Sequence, residues 1–291
     1  MKTIDIHIHG IGGLDTRTSS EAHILKIAEI QMKAGVNEIV PTVYADDIQT
    51  MRLHMAAIKK AMTLQRQSNG GLTGQSAIIG VHLEGPFLNP DKCGAQKRSA
   101  LINPTERALK QLIEGFEDMI KIITAAPELD GAPDIISRIT KRGIIVSMGH
   151  SAASYAEAEA GFKAGARGIT HLFNAAAPFH HREPGLVGFA LTNKDIYVEL
   201  IADPFHLHPA TTELIFAAKP QDKIIIVSDS VRQTGTNPDT GSGITDEKHT
   251  LLGGAATITD AASRLIRLGF DEDKIMRCIT ENPARYLSSL S

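Results

Sequence analysis

Residues Gly80–Gln96 read GVHLEGPFLNPDKCGAQ, and the run leading into them, Ala77-Ile78-Ile79-Gly80-Val81, is apolar. Such a run predicts a buried strand, and Gly85-Pro86 must end it just after Glu84. A carboxylate at that point needs a cation or a hydrogen-bond donor if it is buried, and a Lys or Arg partner or solvent if it is not. Outward from this stretch the same arrangement recurs. His7 and His9 lie on and after Ile4-Asp5-Ile6, His150 follows Ile144–Gly149, His171 follows Gly168-Ile169-Thr170, and Asp229 follows Ile224–Ser228. Five apolar runs therefore end in residues that bind metals.

Between these runs lie helical patterns. Ser19-Ser20-Glu21 caps a stretch with Ile24, Leu25, Ala28 and Met32 at helical spacing; Asp47 to about Gln67 carries a stripe of Met51, Met55, Ile58 and Met62, which reads as core. Further helices are expected from Pro104 to about Phe116, Pro133 to Lys141, Ala153 to Ala164, Ala255 to Leu268 and Asp273 to Leu287. The remaining strands are Glu38–Val43, Met119–Ile123, Ile169–Phe173, Ile196–Ala202 and Lys223–Ser228. Strand and helix alternate every 30 to 45 residues or so, which a parallel βα architecture requires. Eight strands in one chain of 291 residues predict a single (β/α)8 TIM barrel over 1–291, with the functional residues on its C-terminal face. Asn174–Gly188 and Thr234–His249 read as loops, the second a mobile one over the strand ends; Asp239, Thr240 and Asp246 do not have a calcium-loop spacing.

Several functions are excluded. The formal net charge of −3 and the lack of a basic run argue against nucleic-acid or anionic-membrane binding, and no apolar run approaches a membrane span. Gly10-Ile11-Gly12-Gly13 is not a dinucleotide fingerprint, because the third glycine position falls on Asp15. Two distant cysteines, Cys93 and Cys278, make neither a disulfide framework nor a thiolate metal site; with no signal-peptide pattern at Met1, they predict a cytoplasmic protein.

On a regular first strand Ile4, Ile6 and Ile8 share one face and Asp5, His7 and His9 the other, so that two imidazoles reach one ion. The set expected to hold a catalytic metal is Glu84, His150 and His171, with His7 and His9 available for the same ion or a second one; imidazole and carboxylate suit zinc first, with iron, manganese or cobalt as alternatives. Such an ion lowers the pKa of water toward neutrality, and Asp229 is placed to serve as the base, or else to cap a helix. Glu128 is a further ligand or, preferably, a cap or ion-pair partner. Arg182, His206 and the backbone near Asn174-Ala175 offer donors of the kind that hold phosphate, although Arg182 has Glu183 beside it as an alternative partner.

In this order HLEGPFLNP, SMGHSAASY, GITHLFNAA, HHREPG, ADPFHLHP and VSDS resemble the N-acetylglucosamine-6-phosphate deacetylases of the amidohydrolase superfamily, and the resemblance runs from Asp5–Gly10 to Asn282–Arg285. It implies metal binding by Glu84, His150 and His171, a general base and acid at Asp229, and sugar-phosphate binding by Asn174, Ala175, Arg182, His206 and Leu251. It further implies a homodimer, with His206 reaching across the interface, and hydrolysis of the acetamide to acetate and glucosamine 6-phosphate. Three departures stand out. Gln96 occupies the place of a histidine that polarises the substrate carbonyl, Pro204 that of a glycine, and the β-sandwich domain usual in the family is expected to be absent. A related amidohydrolase acting on another amide, or a non-catalytic sugar-phosphate binder, is the alternative reading.

Overall fold

The computed structural model describes residues 1–68, 74–236 and 243–290. Eight parallel strands follow one another around a barrel: β1 (Ile4–Ile8), β2 (Glu38–Tyr44), β3 (Val81–Glu84), β4 (Ile120–Ala125), β5 (Ile145–Met148), β6 (Gly168–Ile169), β7 (Tyr197–Ile201) and β8 (Ile224–Val227). A two-residue strand, Ala77–Ile78, extends the β3 side by pairing with the start of β2. The barrel closes where the Asp229 amide donates to the His7 carbonyl (2.9 Å) and the His9 amide to the Ser230 carbonyl (2.7 Å). The strands are Ile- and Val-rich because both faces are buried. Ile4, Ile6, Val40, Ile122, Ile145, Ile225 and Val227 cluster inside the barrel, whereas the other faces of the strands pack against the helices.

The helices lie outside: α1 (Glu21–Lys33), α2 (Ile48–Gln67), α3 (Glu106–Ile113), α4 (Ala132–Thr140), α5 (Tyr155–Ala164), α6 (Gly185–Thr192), α7 (Pro209–Ala218), α8 (Ile258–Arg267), α9 (Glu272–Ile279) and α10 (Glu281–Leu287). Their starts are set by side chains that accept from orphan backbone amides, among them Ser20, Asp47, Thr105, Thr257 and Asp271. Ser154 and Glu157 form a reciprocal capping box on α5.

Four sequence expectations change. The face alternation of β1 fails because its register slips between Asp5 and Ile8; Ile8 joins the outer cluster while Ile4 and Ile6 stay inside. The sixth strand stops at Ile169, since His171 (φ 30°) and Phe173 (φ 77°) have left-handed backbone that no strand accommodates. The expected Asn174–Gly188 loop runs into α6, whose GLVGFALT sequence, apolar but for the terminal Thr192, lacks the amphipathic spacing that marks a surface helix. The expected helix Asp273–Leu287 is two helices broken at Thr280, with Pro283 in the first turn of the second, where its missing N–H costs no bond.

In the Thr234–His249 segment Asp239 and Thr240 lie outside the described residues. Ile244–Thr245 pairs antiparallel with Leu251–Gly253, and Asp246 closes the turn by accepting from the Lys248 and Thr250 amides. Below the barrel, Tyr286 of α10 is fully buried and inserts among the interior residues beside Tyr197. A Cβ at Gly168 would overlap the Tyr286 hydroxyl, so β6 needs glycine there. None of the described helices is long and apolar enough to cross a membrane.

Candidate metal centre and active site

The strand ends bring Glu84, His150, His171, His7, His9 and Asp229 together at the C-terminal mouth of the barrel. Glu84 Oε1 lies 3.0 Å from the Nε2 atoms of both His150 and His171 and 3.4 Å from His7 Nε2, and its Oε2 lies 3.1 Å from His9 Nε2. Asp229 Oδ1 is 3.5 Å from the Nε2 atoms of His7 and His9. Two compact ligand groups result, Glu84/His150/His171 and His7/His9/Asp229, all buried.

The nitrogens themselves crowd together, at 3.1 Å between His150 and His171 and 3.3 Å between His7 and His9. Outer contacts aim two of the rings. His150 Nδ1 meets the Lys92 carbonyl at 2.9 Å and His7 Nδ1 meets the Glu199 carboxylate at 3.2 Å, so a proton on each Nδ1 turns an Nε2 lone pair toward the centre. These two Nε2 atoms, those of His9 and His171, and two carboxylates, crowded together, suit a shared cation. The donor set therefore fits one or two divalent ions.

Electrostatics agree with that fit. Burial works against charge on His7, but the Asp229 and Glu84 carboxylates and the Glu199 hydrogen bond outweigh it and hold its pKa well above the ordinary value. His150 is likewise raised, with Glu84 overcoming the effect of burial. Glu84 is held well below the usual carboxylate range, burial being overcome by His150 and His7. The pocket attracts positive charge, which an ion can supply to neutral imidazoles.

The catalytic candidates stand beside this centre. Gln96 accepts the Ala45 amide on Oε1 (3.1 Å), which fixes its orientation, and its amide nitrogen donates to Glu84 Oε2. Asp229 follows β8 with φ 46°, and His150 (φ 47°) and His171 (φ 30°) are similarly left-handed, so the chain turns sharply where each side chain faces the cavity. That cavity, about 300 Å3, is lined by His9, Gln96 and Asp229 and also by Asn174, Ala175, His206 and Leu251. His206 lines the cavity of its own chain, held by Asp203 at 2.9 Å; despite burial, His206 and backbone amides keep the Asp203 pKa low. Arg182 is not among the cavity residues. It is exposed and contacts His181 at 3.3 Å, without an ion pair to Glu183. Glu128 accepts from Asn89, Ser151 and the Ala152 amide and lies outside both ligand groups; among the described residues it is neither in an ion pair nor a helix cap.

Sequence reading passed over Glu199, Tyr44 and His249. Glu199 is signalled by a carboxylate inside the apolar run YVELI. Tyr44 ends β2 level with Glu84, and its ring stacks on His9 with centroids 3.7 Å apart. His249 lies in the turn before Leu251 and lines the cavity.

No family model matches the chain. Curated proteins do. The chain is 36% identical over 232 residues to N-acetylglucosamine-6-phosphate deacetylase of Bacillus subtilis (strain 168), covering 80% of this chain and 58% of the relative. It is 33% identical over 250 residues to N-acetylgalactosamine-6-phosphate deacetylase of Escherichia coli O157:H7, covering 86% and 62%. Thus the chain spans about three fifths of the length of these relatives. The crystal structure of N-acetylglucosamine-6-phosphate deacetylase from Thermotoga maritima superposes with a TM-score of 0.86 at 27% identity, over 99% of this chain and 78% of that one. In sequence and in its amidohydrolase-type (β/α)8 barrel, the chain is a relative of the N-acetylglucosamine-6-phosphate deacetylases.

Proposed function

We propose that the barrel is a metal-dependent hydrolase that removes the acetyl group from N-acetylglucosamine 6-phosphate, giving glucosamine 6-phosphate and acetate. The observation that carries this reading is the convergence of four imidazoles on Glu84 with Asp229 3.5 Å from two of them, in a cavity wide enough for a sugar. Zinc is the ion we favour, held by Glu84, His150 and His171, with His7, His9 and Asp229 offering a second position. A divalent ion there supplies Lewis acidity, making water more acidic and a carbonyl more electrophilic. Asp229 takes the proton of the attacking water and, as the C–N bond breaks, returns it to the amine nitrogen. Gln96, its orientation locked by Ala45, donates to the substrate carbonyl oxygen in place of a histidine.

Asn174, Ala175, Leu251 and His206 hold the sugar phosphate. Among the described residues no Arg or Lys lines the cavity, which favours a homodimer in which the exposed Arg182 of a second copy supplies positive charge. Free Cys93 and Cys278 suit a reducing cytoplasm. The 33% identity to an N-acetylgalactosamine-6-phosphate deacetylase supports a second reading, in which the C4 epimer is the substrate.

Acetate release by zinc-loaded protein tests the proposal, run on both sugar phosphates, on unphosphorylated N-acetylglucosamine and with Asp229→Asn. Turnover that needs Asp229 and the phosphate is expected; a zinc-loaded protein that releases no acetate from either phosphate would overturn it.

A further inference from the structure

The cavity does not end at the metal centre. Tyr44, Ala95 and Leu252 line it and also line an adjoining pocket that carries Asp15, Arg17, Val231, Arg232 and Gln233. Neither guanidinium group in that pocket has an ion pair among the described residues. Arg17 is preorganised. Its guanidinium carbon lies 3.6 Å above the Tyr44 ring, whose ring in turn stacks on His9 at the metal centre. The backbone on either side of the pocket is tied: the Asp15 carboxylate accepts the Arg17 amide (2.7 Å), and the Arg232 carbonyl accepts the Gly13 amide (2.8 Å). Two arginines thus line one pocket with a single carboxylate, Asp15, one oxygen of which accepts the Arg17 amide.

Given the amide-hydrolase reading, on which this inference rests, the direction of the pocket assigns its occupant. Asn174, Ala175 and His206 follow β6 and β7, whereas Arg17 follows β1 and Tyr44 ends β2. With the amide carbon at the metal centre and the amino sugar toward β6 and β7, the acyl group extends toward β1 and β2. We propose that the Arg17–Arg232 pocket binds the far end of an N-acyl group that terminates in a carboxylate, so that the preferred substrates include amino-sugar phosphates N-acylated by a dicarboxylic acid. Hydrolysis of such an amide proceeds as for acetyl, with water adding to the carbonyl carbon and the C–N bond breaking, and it releases the free amine and a dicarboxylate.

The test is equilibrium binding by calorimetry with zinc-loaded Asp229→Asn protein, which separates affinity from turnover. The ligands are the N-succinyl, N-butyryl and N-acetyl derivatives of glucosamine 6-phosphate and N-acetylglucosamine without the phosphate. Charge-assisted hydrogen bonds predict that N-succinyl binds about tenfold tighter than the neutral N-butyryl, which is similar in length. With Arg17→Gln and Arg232→Gln added, that ratio collapses toward one. Equal affinity of the succinyl and butyryl ligands, or a ratio that survives both substitutions, overturns the proposal. If the substitutions instead erase the preference for phosphorylated over unphosphorylated sugar, the arginines hold the phosphate and the acyl assignment is wrong. Failure of the deacetylase reading is seen separately, as absence of acetate release by the protein with Asp229 intact.

Discussion

His7 Nδ1 and a carboxylate oxygen of Glu199 meet 3.2 Å apart across the barrel, though 192 positions separate the two residues. Glu199 is 1% exposed, so His7 rather than water is the partner of that oxygen. The contact fixes which nitrogen of His7 faces the centre.

Glu199→Gln should therefore weaken metal binding at the His7/His9/Asp229 group by about 10- to 100-fold. The Glu84/His150/His171 group, which Glu199 does not touch, should keep its affinity. Metal titration with two resolved stoichiometric steps would show one step moving; equal weakening of both steps would refute a local orienting role.

Asp229→Asn should lower acetate release by about 10²- to 10⁴-fold, the range for loss of a positioned acid and base. Because the amide of Asn cannot accept a proton, the loss should fall on kcat with KM little changed. A loss confined to KM would instead make Asp229 a binding residue.

How much of this site could be read beforehand depended on how local its signals were. Glu84, His150, His171 and Asp229 each follow an apolar run, and strand periodicity makes such positions legible one at a time. Glu199 and Tyr44 acquire meaning only when distant strands are brought side by side, as β1 and β7 are by His7 and Glu199. The short sixth strand and the slip in β1 were missed for the opposite reason: they depend on φ values at His171 and Phe173 and on register between β1 and β2, which hydrophobic patterning does not encode. Helix α6 has no polar face to give it a period, and the α9–α10 break rests on one residue, Thr280.

Gly168→Ala should destabilise the fold by about 1–3 kcal/mol through overpacking against Tyr286. Chemical denaturation of the single variant and of Gly168→Ala with Tyr286→Phe would test it. Removing the hydroxyl should recover part of the loss, and a double variant no better than the single one would place the strain elsewhere.

Lys219, 4% exposed, donates to the Ile196 carbonyl (2.8 Å), and burial, with Lys194 and Lys223 nearby, lowers its pKa from 10.5 to about 8. Between those values the unfolded chain binds the proton more tightly than the folded one, so the contribution of this group to stability rises with pH from about 8 and levels off near 10.5. Lys219→Met should flatten that part of the stability–pH curve. An unchanged slope in the variant would show that other groups produce it.

Three residues that line the cavity, His150, His171 and Asp229, have φ values of 47°, 30° and 46°. For side chains of this kind such backbone costs on the order of 1–3 kcal/mol at each position, and glycine or asparagine would suit it better. Neither replacement can do the work of an imidazole or a carboxylate. Selection for heat tolerance alone would thus drift away from the proposed chemistry at the strand tips, and a thermal screen of random variants should recover robust barrels altered at these three positions that release no acetate.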